Sequence, residues 1–229
     1  MKSKHGDAQL VVLPFHRHTV EKFGGFRANE RKILPDQIVR RLTVEMEASG
    51  RHVHLSRAHV EALFGPGYQL NRVKDLSQPG QFVCAQRVTL EGPKGSIPNV
   101  VVLGPERKES QVEISLTDGV VLGITPPVRL SGDIAGTPGI TLRNGDRVLR
   151  LDRGLIAAKR HIHMTPEDAA RFGVENGREV RLKCLTQRPL TLEGVEVRVS
   201  PQFATFAHID YDEANACGFQ KGDRALILP

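Results

Sequence analysis

The sequence predicts a mainly β fold with short helices, arranged as two tandem, homologous small β-barrel domains. An internal repeat carries the duplication: Gly50-Arg51-His52-Val53-His54-Leu55-Ser56 returns as Lys159-Arg160-His161-Ile162-His163-Met164-Thr165. Period-two runs carry the strands. Leu42, Val44, Met46 and Ala48 alternate with Thr43, Glu45, Glu47 and Ser49, as on a strand with one buried face. Closely spaced turn signals at Asp118-Gly119, Pro126-Pro127, Pro138-Gly139 and Asn144-Gly145-Asp146 favour short strands in barrels over a Rossmann sheet. The chain has neither G-x-G-x-x-G nor a P-loop pattern.

Residues 1–35 hold no sustained period and mix Gly24-Gly25, His16-Arg17-His18 and scattered basic residues, so they are expected to form a flexible N-terminal extension. Residues 36–115 form the first expected barrel unit, entered by a short helix from Asp36. Residues 116–150 are read as a connecting β segment, and residues 151–229 as the second barrel unit. In each unit an apolar stretch precedes the His-x-His motif. A hydroxyl N-cap, Ser56 or Thr165, then opens a short helix closed by Phe-Gly. Pro166 suits the first helical position, and Glu167 and Asp168 suit the helix dipole. A second recurrence, Thr89-Leu90-Glu91-Gly92 and Thr191-Leu192-Glu193-Gly194, extends the repeat.

With 229 residues, the chain can bury a core without metal or disulfide staples, so a metal here is expected to serve chemistry. No apolar run is long enough to span a bilayer, and the first residues are not expected to act as a secretory signal, since they lack its basic, apolar, small-residue order. Three cysteines give neither an even count nor a close pair, pointing to a reducing cytoplasm. The net charge of +6 raises nucleic acid as a partner, but residues 1–35 carry seven Lys/Arg against three Asp/Glu. The remainder is nearly balanced and lacks clustered Arg with interleaved aromatics, so nucleic-acid binding is not expected.

On a strand, residues i and i+2 face one way, so His52 with His54, and His161 with His163, can each offer two imidazoles to one ion. A lone pair of this kind would more often be a satisfied strand histidine; its duplication shifts the reading to metal. Imidazole suits zinc and its neighbours, and a catalytic site wants a third protein ligand with a position left open. Glu113 and His208 occupy comparable late places in the two units and are the candidates. The other histidines have no such support. Arg107 and Ser131 are candidates for an anion's cationic fork and hydroxyl donor. Cys84 and Cys184 read as packing residues of corresponding strands.

Five motifs, in order, resemble the PduL-type phosphate acyltransferases, the phosphotransacylases associated with bacterial microcompartments. They are Arg51 to Ser56; Gly104-Pro105-Glu106-Arg107 leading into Gln111-Val112-Glu113-Ile114-Ser115; Arg129-Leu130-Ser131-Gly132; Arg160 to Met164; and His208 to Asn215. The last departs from the family's usual pattern at Tyr211, where a small hydroxyl residue is more common. The resemblance covers residues 42–229 and implies paired β-barrels around a two-metal site. It places one divalent ion, expected to be zinc, on His52, His54 and Glu113, and the other on His161, His163 and His208. It puts phosphate orientation on Arg107 and Ser131. Ser49, Lys74 and Asn215 are the expected coenzyme A contacts.

The implied reaction is reversible phosphate acyltransfer, in which a short-chain acyl-CoA (propanoyl or acetyl) and phosphate give acyl phosphate and coenzyme A. The expected setting is the cytoplasm, inside a microcompartment lumen. Residues 1–35 would serve as an encapsulation peptide docking on shell or enzyme core, and a homo-oligomer is an open expectation. Two other readings use the same ligands: a metal-dependent acyl-CoA hydrolase, and a non-catalytic metal-binding microcompartment protein.

Overall fold

The computed structural model describes residues 39–228. The expected extension at residues 1–35 and the start of the helix expected from Asp36 lie outside the described residues; residues 39–42 are helical. The first strands are β1 (Thr43–Ser49) and β2 (His52–Ser56), followed by α1 (Arg57–Phe64). Then come β3 (Arg72–Asp75), β4 (Phe82–Glu91), β5 (Ser96–Arg107), β6 (Gln111–Ile114) and α2 (Leu116–Leu122). The connecting segment supplies β7 (Val128–Arg129), β8 (Ile140–Asn144) and β9 (Arg147–Leu151). The last part holds β10 (Leu155–Ala158), β11 (His161–Met164), α3 (Pro166–Phe172), β12 (Glu179–Leu185), β13 (Thr191–Val199), β14 (Phe206–Asp210), α4 (Tyr211–Cys217) and β15 (Arg224–Leu228).

Two sheets result, and the duplication is visible in both. β1, β14, β11, β13, β12 and β15 close into a six-stranded barrel. The other nine strands form a sheet ordered β7-β10-β6-β2-β5-β4-β8-β9, with β3 added on β4, that curls into a half-barrel. Within each sheet the His-x-His strand lies between a parallel and an antiparallel neighbour: β2 between β5 and β6, β11 between β13 and β14.

The leading strands are exchanged. β1 pairs in parallel with β14 of the barrel, and β10 pairs in parallel with β6 of the other sheet. The chain therefore passes between the sheets at residues 50–51 and again at residues 159–160. Period-two patterning marks a strand without naming its partner, so the sequence grouped each leading strand with the unit that follows it. The Thr-Leu-Glu-Gly recurrence is also not equivalent, because it ends β4 in one copy and begins β13 in the other.

Alternation explains both burial and site. In β2, Val53 and Leu55 enter one apolar core, and in β11, Ile162 and Met164 enter the other, while the histidines take the opposite face. Each fully buried aliphatic side chain of this kind contributes about 1.5–3 kcal/mol relative to exposure. The helices start and stop as their residues dictate. Thr165 Oγ1 accepts from Asp168 N at 3.1 Å ahead of Pro166, and Gly173 ends α3 with φ 65°, a backbone region that favours glycine. Ser56 caps α1, with Gly65 after Phe64 at its end.

Cys84, Cys184 and Cys217 are all buried in these cores. Burial pushes the Cys84 thiol up to about 11 and the Cys184 thiol up to about 12, the latter helped by neighbouring Cys217. Burial also raises the Cys217 thiol, so a thiolate is disfavoured at all three positions. Native protein should react with an aromatic disulfide reagent only on the timescale of unfolding, with all three thiols appearing in denaturant. Rapid stoichiometric labelling of folded protein would contradict this burial.

Candidate active site

The register of the strands builds two equivalent half-sites. In the nine-stranded sheet His52 stands directly opposite Glu113 across the β2–β6 ladder. In the barrel His161 stands directly opposite His208 across the β11–β14 ladder. Each third candidate ligand thus faces the first histidine of its motif on the antiparallel neighbour, which is why residues far apart in sequence converge. Within each triplet the potential ligand atoms lie within 4.8 Å of one another.

The first triplet is a buried carboxylate with two imidazoles. His52 Nε2 is 3.5 Å from Glu113 Oε2, and His54 Nε2 is 3.9 Å from Glu113 Oε1. His52 Nδ1 donates to Gly50 O at 2.8 Å, which fixes the tautomer that leaves Nε2 free to act as a ligand. Burial alone would lower the His52 pKa, but the Glu113 carboxylate and the Gly50 carbonyl outweigh it and the net shift is upward. Burial opposes the Glu113 charge, yet His52 and His54 hold its carboxyl well below the usual carboxylate range. His54 is driven well below its ordinary value by burial, with His52 and Arg107 adding to the effect.

The second triplet has three imidazoles and no carboxylate ligand. His161 Nδ1 donates to Lys159 O at 2.8 Å, repeating the arrangement at His52. His163 Nδ1 and His208 Nε2 approach to 3.2 Å, and the His161 ring centroid lies 4.6 Å from that of His163 and 5.0 Å from that of His208. Burial lowers all three pKa values, His163 to about 3, and the clustered rings lower His163 and His208 further. These histidines are neutral at pH 7, the form that coordinates metal.

Both triplets fit divalent ions. Buried imidazoles and a buried carboxylate are suited to zinc, whose tetrahedral ligands sit about 3.4 Å apart, close to the His163–His208 approach. His54 Nδ1 is buried and lacks a hydrogen-bond partner, a cost that coordination through that nitrogen would remove. The triplets line one cavity of about 540 Å³, together with Ser49, Arg107 and Ser131.

Arg107 and Ser131 are tied to each other and to the first triplet. Arg107 Nη1 and Gln111 Nε2 each donate to Ser131 Oγ at 2.9 Å, and Gln111 Nε2 also donates to Glu113 Oε1 at 2.5 Å. The Ser131 hydroxyl also helps to hold the Glu113 carboxyl below its ordinary range, after the larger effects of His52 and His54. Burial lowers the Arg107 pKa; Glu113 opposes the shift and Arg198 reinforces it. The guanidinium stays protonated at neutral pH.

Other expected contacts are placed differently. Ser49 lies in the cavity wall, whereas Lys74 on β3 and Asn215 on α4 are exposed and outside that lining. Beside Ser49, Gly50 lets the Tyr211 ring pack closely, since a Cβ there would come within 2.7 Å of it.

Sequence reasoning missed Arg198, Gln78 and Glu47. Arg198 stands beside His163 in the β11–β13 register and lines the cavity. Gln78 Nε2 donates to Ala204 O at 3.0 Å and reaches 3.3 Å from His208 Nε2. Glu47 reaches the second triplet through the exchanged strand β1, with Oε2 3.7 Å from His208 Nδ1. A signal for Arg198 existed: Val195 and Val197 enter the core, so Glu196 and Arg198 must take the face that the histidines use.

A family profile described as phosphate propanoyltransferase matches residues 45–220. The chain is 61% identical over 201 residues to a phosphate propanoyltransferase of Enterococcus faecalis, covering 85% of this chain and 95% of the relative. It is 61% identical over 185 residues to one from Listeria monocytogenes, with 81% and 87% covered. A third, from Thermotoga maritima, is 51% identical over 181 residues, with 79% and 86% covered.

Proposed function

Because the chain belongs to the phosphate propanoyltransferase family of acyltransferases, we propose that it moves a short acyl group, propanoyl or acetyl, reversibly between coenzyme A and phosphate at a two-ion site. The observation that carries this reading is a single cavity holding two three-ligand groups next to the Arg107–Ser131 pair. His52, His54 and Glu113 would hold one divalent ion, expected to be zinc, and His161, His163 and His208 the other. When bound, such ions supply Lewis-acid stabilisation to a departing thiolate and to phosphate oxygens.

The chain's own residues supply binding and approach. Arg107 offers a guanidinium fork to phosphate, and Arg198 adds a second positive charge in the same cavity. Held there, a phosphate oxygen attacks the thioester carbonyl carbon, the carbon–sulfur bond breaks, and the electron pair leaves with the coenzyme A thiolate. Holding both reactants in one cavity replaces bimolecular encounter with a fixed approach. The Ser131 and Gln111 hydrogen bonds keep the arginine and Glu113 in register. Ser49 in the cavity wall, with Lys74 and Asn215 nearer the surface, are proposed as coenzyme A contacts.

No helix of the described residues is long and apolar enough to cross a membrane. We propose a microcompartment lumen as the setting, with residues 1–35 as the encapsulation segment.

Coenzyme A release from propanoyl-CoA, measured with and without phosphate on metal-loaded protein, tests the reading. Release should require phosphate, and acyl phosphate with coenzyme A should run the reaction backward. Equal release without phosphate would replace this reading with a hydrolase, and bound metal without turnover would replace it with a binding role.

A further inference from the structure

The chain crosses between its two sheets only at residues 50–51 and 159–160 within the described residues, and each crossing ends on an arginine that immediately precedes a His-x-His motif. Arg51 reaches Asp118 by two bonds, Nε to Oδ2 at 3.0 Å and Nη2 to Oδ1 at 2.7 Å. Arg160 Nη1 reaches Glu213 Oε1 at 2.7 Å, while its Nε donates to Glu193 O at 2.7 Å.

The two acids hold matching positions. The strand bearing Glu113 runs into α2 through N-cap Ser115, and Asp118 is the third helical residue. The strand bearing His208 runs into α4 through N-cap Asp210, and Glu213 is again the third helical residue. In both halves the cap follows the third ligand by two residues and the acid follows it by five. Each acid also accepts from the N-cap backbone amide, Asp118 from Ser115 N at 3.2 Å and Glu213 from Asp210 N at 3.0 Å. The spacing is kept while the residues differ: Ser with Asp in one half, Asp with Glu in the other.

From this we infer that Arg51 and Arg160 are paired positioning residues, each locking one His-x-His strand to the strand that carries its third ligand and so setting the affinity of that half-site for its ion. The inference rests on the two-ion reading above. The mechanical argument is local. The arginine is fixed in sequence to the first histidine, and the acid is fixed by a capping box to the strand end that holds the third ligand. A bridge between them holds the separation that the ligands must keep. The acid ends of the two bridges are the sheltered ones, with Asp118 and Glu213 side chains 6% and 18% exposed against 42% and 35% for Arg51 and Arg160, so each arginine reaches from the surface to a largely desolvated carboxylate.

The test measures bound zinc per chain, after dialysis against a weak chelator, on full-length protein. The variants are Arg51→Ala, Arg160→Ala, and the shape-preserving Asp118→Asn and Glu213→Gln, with melting of the metal-free protein followed in parallel. Wild-type protein should hold about two ions. Arg51→Ala and Asp118→Asn should weaken one ion by about 10–100-fold, the range for losing a group that orients a ligand. Adding His52→Ala to Arg51→Ala should affect only the half-site already weakened and leave the other ion in place, whereas adding His161→Ala should remove that other ion. Arg160→Ala and Glu213→Gln should give the mirror pattern, and Arg160→Lys, which can keep the single ion pair, should retain more metal than Arg160→Ala. Retention of both ions at wild-type affinity would overturn the inference. So would loss of both ions together with a fall in metal-free melting temperature, which marks general destabilisation. Fewer than two ions on the wild-type protein would instead sink the two-ion reading itself.

Discussion

Replacing His161 with alanine is expected to remove one ion and to lower kcat/KM for propanoyl-CoA by about a thousandfold or more, with the fold intact. His161 stands opposite His208, and its Nδ1 is committed to Lys159 O, so its Nε2 is the atom aimed into the triplet. Without it only His163 and His208 remain, and no carboxylate of that triplet is left to compensate. Loss of several kcal/mol of charge stabilisation at the reacting atoms corresponds to that fall, at about tenfold per 1.4 kcal/mol. The fold should survive because the same strand's core face, Ile162 and Met164, is untouched. Metal analysis, turnover and thermal melting on one preparation check all three parts. Turnover within about tenfold of wild type, with one ion missing, would show that the second triplet does not serve the reaction.

The half of this site that was legible in the sequence is the half written in local pattern. A duplicated i, i+2 histidine pair on a strand needs only the pleat to be read, and β2 and β11 confirm the geometry. Glu113 and His208 could be proposed by their place near the end of each unit, but what brings them beside the histidines is ladder register, which no single strand encodes. Strand exchange was illegible for the same reason: the alternation in residues 42–49 specifies one buried face equally well in either sheet. Glu47 was missed as a consequence, since it enters the second triplet's surroundings only through that exchange. Nor could the sequence tell that one sheet closes while the other, extended by β7 to β10 and by β3 on β4, does not. Lys74 and Asn215 show the opposite limit, because nearness to a motif in sequence did not bring their side chains into the cavity wall.

Replacing Arg107 with alanine should separate phosphate use from metal binding. Arg107 and Arg198 lie in one cavity, where Arg198 disfavours the Arg107 charge and Glu113 favours it. Two cations in a partly water-excluded space are costly until an anion sits with them, so the arrangement is poised for phosphate. Removing the fork should raise the phosphate KM and lower kcat/KM by about 10²–10³-fold, the range for deleting one preorganised donor. Both ions should stay, because Arg107 is not a member of either triplet. Arg107→Lys should fall between the two, keeping charge but losing the planar fork that matches phosphate oxygens. Ser131 would lose one of its two donors, while Gln111 still holds it against Glu113, so the metal side of the network remains supported. Steady-state rates at varied phosphate, with metal content on the same samples, give the result. An unchanged phosphate KM would remove Arg107 from the phosphate site, and loss of an ion would mean that it acts through Glu113. His161→Ala and Arg107→Ala should therefore fail in opposite columns, one in metal and one in phosphate, and a shared defect in both would mean that the cavity is a single electrostatic unit whose parts cannot be assigned separately.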